Sequence, residues 1–184
     1  MKKIIILDPG HGMSNRKQGV FDPGAVSGGI TEADIVMEWA NELREVFLKQ
    51  GHRVIRTRVN HSDPATISQR AKIAKDYHGD IMLSLHCNAS DGRASGTETF
   101  YRGINHKSKA EKITAAVCNV LGTKNRGAKT ENQSQHSSLA VMSFQPCFLL
   151  EIGFIDNSSD RAKMSDPDLR SFACNAIADA LLNI

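Results

Sequence analysis

Ile81-Met82-Leu83-Ser84-Leu85-His86-Cys87-Asn88 begins with an apolar run, broken only by one serine, that ends on a histidine. A short run of this kind reads as a strand covered on both faces, as in a parallel sheet between helices. Residues 2–7 and 147–152 have the same character, the latter interrupted only by Glu151. Residues 53–59 alternate in polarity after Gly51, and residues 97–101 are rich in β-formers. Residues 139–142 give a fainter strand signal. Helical periodicity fills the intervals. Residues 32–50 put Ile35, Val36, Trp39, Leu43, Val46 and Phe47 on one face, and residues 66–77, 106–121 and 168–183 repeat the pattern. Strands alternating with helices predict a single α/β domain, with a largely parallel sheet between helices. Residues 122–138 lack periodicity and are expected to be mostly loop.

The chain has 184 residues, enough for one such domain with a substantial core. Hydrophobic residues make up 40% and charged residues 23%, an ordinary globular balance. The net charge of +3 agrees with an anionic partner, but only 5% of residues are aromatic and no basic stripe interleaves with them, which argues against nucleic acid. No apolar run approaches the ~20 residues needed to span a bilayer. Met1-Lys2-Lys3 precedes only a short apolar stretch before Asp8, less than the roughly 7–15 residues of a signal-peptide core. The expectation is synthesis in the cytoplasm without an export signal, as a monomer. The four cysteines, Cys87, Cys118, Cys147 and Cys174, form no C-x-x-C pair and are expected to be free, buried thiols.

Four residues carry the chemical signal, each beside a strand end or a helix start, where open α/β sheets place their sites. His11 follows the first strand in Asp8-Pro9-Gly10-His11-Gly12; a turn histidine bonded to backbone is the ordinary alternative. Glu32 lies in the capping box Thr31-Glu32-Ala33-Asp34. An acid there commonly serves the helix dipole. At about 100° per residue, however, Trp39 and Leu43 fall within about 20° of Glu32, at the centre of the apolar stripe. An acid aimed that way needs a partner, and a metal cation is one. His86 ends the most hydrophobic strand, where a satisfied half-buried histidine is the alternative, and Asn88 shares its face. Glu151 interrupts its apolar run without a local partner, a setting that raises a carboxyl pKa and suits proton transfer. Two histidines and a carboxylate form the N,N,O set of catalytic zinc. They are scattered along the chain and no H-E-x-x-H helix is present, so the residues alone point to metal-assisted hydrolysis and go no further.

The chain resembles the zinc-dependent N-acetylmuramoyl-L-alanine amidases of bacteria and their phages over nearly its whole length. Asp8-Pro9-Gly10-His11-Gly12 looks like the first zinc motif, and Glu32 matches the second ligand. Gly51-His52-Arg53-Val54 looks like the second strand, and Arg70 to Ala74 like the helix after it. Ser84-Leu85-His86-Cys87-Asn88-Ala89 gives the third ligand, His86. Gly96-Thr97-Glu98-Thr99-Phe100-Tyr101 and Asn125-Arg126-Gly127 match further signatures, and Leu150-Glu151-Ile152-Gly153 the catalytic-glutamate motif. Met13 and Cys87 depart from residues common in that family.

The resemblance implies a mostly parallel six-stranded sheet flanked by helices. It implies a Zn2+ cofactor on His11, Glu32 and His86, with Glu151 as the catalytic residue. It also implies hydrolysis of the amide between N-acetylmuramic acid and the L-alanine of the peptidoglycan stem, with Asn88 and Arg126 positioning the wall fragment. Peptidoglycan or muropeptides are the expected partners. The expected role is a phage or prophage endolysin without a separate wall-binding module, reaching the wall through a holin-type release. An enzyme of wall-fragment recycling, a non-catalytic wall-binding domain and a stem-peptide zinc peptidase are the alternatives.

Overall fold

The computed structural model describes residues 1–135 and 138–182. In chain order the strands are β1 (Ile4–Pro9), β2 (Gly12–Met13), β3 (Phe21–Asp22), β4 (Val26–Ser27), β5 (Ile30–Thr31), β6 (Arg53–Arg56), β7 (Ile81–Asn88), β8 (Thr97–Tyr101), β9 (Asn125–Thr130) and β10 (Cys147–Phe154). The helices are α1 (Glu32–Lys49), α2 (Ile67–Asp76), α3 (Lys107–Leu121), α4 (Ser158–Ser165) and α5 (Pro167–Leu182). The result is a single-domain α/β fold around a six-stranded sheet of order β6-β1-β7-β10-β8-β9. Neighbours from β6 to β10 run parallel, β8 is antiparallel to β10, and β9 is parallel to β8.

The pleat sorts the sheet residues between two covers. Ile5, Leu7, Leu83, Leu85, Phe148 and Leu150 pack with the apolar stripes of α1, α3 and α5 in the larger core. Ile6, Met82, Phe100, Cys147 and Leu149 face the other way, toward α2 and a short 3-10 turn at Ala140–Ser143. Helices thus lie on both faces, as the periodicity predicts, but unequally. Trp39 is fully buried in the larger core and donates its Nε1–H to the Met164 carbonyl at 2.9 Å. All four cysteines are free and buried.

The structure differs from the sequence expectations at four places. Residues 125–130 form β9, not loop. It is an edge strand with little apolar character, so it gives no periodic signal; residues 136 and 137 of the expected loop lie outside the described residues. Residues 139–142 lead into and lie within the 3-10 turn Ala140–Ser143 instead of a strand, because Val141 and Met142 close the α2-side core without joining the sheet. Helix α4 was not anticipated: Asn157 caps it by accepting from the Ser159 and Asp160 amides. Residue 183, the expected end of the last helix, also lies outside the described residues. Finally, β7 continues past residue 85 through Asn88, so strand alternation extends through the candidate site.

Candidate active site

The chain leaves β1 at Pro9 into a loop pinned by buried charge. Asp8, fully buried, accepts from Thr57 Oγ1, Arg70 Nη1 and Ser84 Oγ, each at 2.6 Å. Burial alone would raise its pKa; the Arg70 guanidinium and the two hydroxyls override this and hold it below the usual carboxylate range. Arg70 also donates to the carbonyls of Pro9 (2.9 Å) and His11 (2.6 Å), and Arg58 to those of Pro9 (3.0 Å) and Gly10 (2.8 Å). These bonds hold His11 at φ 60°, a conformation that costs a non-glycine residue about 1–3 kcal/mol.

His11, Glu32 and His86 converge. Glu32 is the first residue of α1, whose N-cap Thr31 accepts from the Asp34 amide at 3.1 Å. The Glu32 Oε1 atom lies 3.0 Å from His11 Nε2 and 3.0 Å from His86 Nδ1. The Cys87 amide donates to the same oxygen at 2.9 Å, and the Ala25 amide to Oε2 at 3.1 Å. One ligand atom from each of the three side chains lies within 4.8 Å of the others. Desolvation opposes charge on Glu32, but hydrogen bonds from both imidazoles outweigh it and keep the carboxyl well below its ordinary range. His11 moves the other way: burial lowers its pKa, yet Glu32 and Asp22 carry it above the usual value.

Asp22 was not singled out in the sequence, yet its Oδ2 lies 3.1 Å from His11 Nδ1. That contact orients the ring so that Nε2 faces Glu32, the carboxylate–imidazole arrangement that commonly supports a metal-ligating histidine. Burial would raise the Asp22 pKa; bonds from Asn15, the Gly24 amide and His11 lower it to about 2. Close approach also demands glycine. A Cβ on Gly24 would sit 2.6 Å from Glu32 Oε2 and 2.8 Å from His11 Cδ2, and the residue has φ 68°. The N,N,O donors, two buried and His86 half-buried, with a carboxylate behind one imidazole, fit a zinc ion. Cys87 belongs to the helix-side core and contributes only its amide.

Glu151 is paired in register with His86 on one side and Glu98 on the other, so the three side chains share one sheet face on adjacent strands. Its Oε2 is buried and has no hydrogen-bond partner among the described residues. Burial, reinforced by the negative charge of Glu32 and Glu98, pushes its carboxyl well up. Asn88 donates to Glu98 Oε1 at 3.1 Å, and Arg126 Nε donates to Glu98 Oε2 at 2.7 Å. These groups line one cleft of about 970 Å³, with Glu32 and His86 at one end and Arg126 and Lys129 at the other. The geometry therefore brings His11, Glu32, His86, Glu151 and Asn88 together and sets Arg126 across the cleft. Asp22, Glu98 and Lys129 join them through contacts that no local sequence pattern encodes.

A profile of the N-acetylmuramoyl-L-alanine amidase family matches residues 5–183. The chain belongs to this family. It is 32% identical over 200 residues to an uncharacterized cell wall amidase of Bacillus anthracis, covering 98% of this chain and 35% of that relative. It is 29% identical over 188 residues to the N-acetylmuramoyl-L-alanine amidase LytC of Bacillus subtilis (strain 168), again covering 98% of this chain and 35% of the relative. This amidase-family chain thus spans about a third of the length of both. Its fold matches the catalytic domain of CwlV, an N-acetylmuramoyl-L-alanine amidase from Bacillus (Paenibacillus) polymyxa var. colistinus, with a TM-score of 0.83. Identity there is 27%, and the match covers 98% of this chain and 96% of that one.

Proposed function

We propose that this protein is a zinc-dependent amidase that cleaves the bond between N-acetylmuramic acid and the L-alanine of the peptidoglycan stem, with residues 1–184 as its catalytic domain. The observation that carries this reading is the convergence of His11, Glu32 and His86 within 4.8 Å beside Glu151, whose Oε2 is buried and has no hydrogen-bond partner among the described residues. Zinc held by those three side chains would supply a water with pKa lowered toward ~7 and polarise the scissile carbonyl. Asp22 keeps His11 turned so that Nε2 faces inward. Glu151 accepts a proton at its free oxygen and delivers it to the leaving nitrogen, and its burial beside the negative charge of Glu32 and Glu98 favours the protonated form that the second step needs. Asn88 orients the wall fragment from the same sheet face.

The test is digestion of purified peptidoglycan with and without chelator, the products being read by mass spectrometry. A new free amine on L-alanine that disappears with chelator and returns with zinc is the expected result. A terminus inside the stem peptide would make the chain a peptidase, and exposure of the L-alanine amine by metal-free protein would remove zinc from the mechanism. An endolysin role is the narrower proposal. It requires lysis of whole cells by protein delivered from within, whereas activity confined to soluble muropeptides would assign the chain to wall-fragment recycling.

A further inference from the structure

Glu98 is the meeting point of an imbalance. Its Oε2 atom accepts from Arg126 Nε at 2.7 Å and from Lys129 Nζ at 2.6 Å, while Asn88 occupies Oε1. One carboxylate answers two cations, so this group carries one positive charge in excess. The Glu98 side chain is 6% exposed, whereas the Arg126 and Lys129 side chains are 29% and 27% exposed and both line the cleft. Arg126 binds Glu98 through Nε alone. Its two Nη atoms have no hydrogen bond among the described residues, and its guanidinium lies 4.9 Å over the Phe154 ring. The stacking and the Nε bond fix the plane of the guanidinium and leave its outer edge available, the geometry suited to a carboxylate.

The position has a chemical meaning. Glu98 and His86 flank Glu151 in register on β8 and β7, two strand spacings apart, or about 9.5 Å. Two extended residues span at most about 7 Å, and a hydrogen bond adds about 3 Å. We infer that Arg126 and Lys129, held by Glu98, form a subsite for a carboxylate carried by the peptide about two residues beyond the scissile amide, an inference that rests on the amidase reading above. A carboxamide at that position would place N–H donors against N–H donors. The subsite would thus select between free and amidated stems and weaken the second by about tenfold or more.

The test uses the zinc-loaded protein and two peptides, L-alanyl-γ-D-glutamyl-L-lysine and its counterpart with the glutamate α-carboxylate converted to an amide, both titrated by calorimetry. The wild type should bind the free carboxylate about tenfold or more tightly, and the Arg126→Gln/Lys129→Gln double variant should bind both peptides alike. Arg126→Lys, which keeps charge and loses the fork, should retain part of the discrimination and guards against misfolding of the double variant. Equal affinity of the wild type for the two peptides, binding of neither, or discrimination unchanged in a folded double variant would each overturn the subsite. Peptidoglycan cleavage measured in parallel separates the two proposals. Discrimination without cleavage sinks the amidase reading and leaves the subsite standing; cleavage without discrimination does the reverse.

Discussion

Gly10 and His86 share a space that admits no methyl group. A Cβ built on Gly10 would lie 2.6 Å from His86 Nε2 and 2.8 Å from Nδ1. The backbone between Pro9 and His11 is held by Arg58 and Arg70, so the imidazole is the part that must move. Gly10→Ala should therefore leave the fold nearly intact and weaken zinc binding by about 10- to 100-fold, as disturbing ligand-supporting contacts commonly does. Competition against a chromogenic chelator measures the affinity; an unchanged zinc Kd would remove His86 from the ligand set.

Asp22→Asn tests the orientation of His11 from behind. An amide cannot supply the charge that draws the Nδ1 proton, and it offers either end to the ring. Zinc affinity should fall by about 10- to 100-fold while the thermal midpoint moves less than such a loss implies, because the isosteric amide can keep the bond from the Gly24 amide. A large loss of stability with normal affinity would mean that Asp22 serves the loop and not the ligand.

Glu151→Gln keeps size and removes the proton. Turnover should drop by about 10²- to 10⁴-fold with zinc content unchanged. The thermal midpoint should not fall, since the neutral amide has no charge to desolvate in a pocket that pushes a carboxyl well up. Near-normal turnover would move the proton-transfer role elsewhere.

Asp8→Asn strands the buried Arg70 guanidinium and should cost about 3–5 kcal/mol at neutral pH. The pH dependence has a definite sign. The folded-state pKa of Asp8 is lowered, so its contribution is complete above the unfolded value of about 3.9 and is lost as pH falls through the folded value. The gap between wild type and variant in urea midpoint should accordingly narrow toward acid. A gap that stays constant from pH 7 to pH 3 would show that the charge on Asp8 does not support the loop.

Residue patterns carried the architecture where burial was two-sided or periodic. The runs through Leu83 and Leu149, and the stripe of α1, were legible because apolar burial writes itself into adjacent letters. Glu32 was legible for the same reason, as an acid set at the angle of Trp39 and Leu43. Strand β9 was not: its residues bond Glu98 and edge the cleft, so their polarity reads as loop. Asp22 and Gly24 were silent because their roles depend on distance to His11 and Glu32, which only folding creates. Residues 139–142 misled because an apolar tetrad covers a sheet as readily as it joins one.

The lopsided covering of the sheet has an evolutionary consequence. Most of the helical packing that holds the molecule together lies behind β7 and β10, while the polar side chains of those strands project to the opposite side. Drift in the residues around the cleft can retune what it accepts without loosening the scaffold, so relatives should diverge fastest on one side of a shared plane.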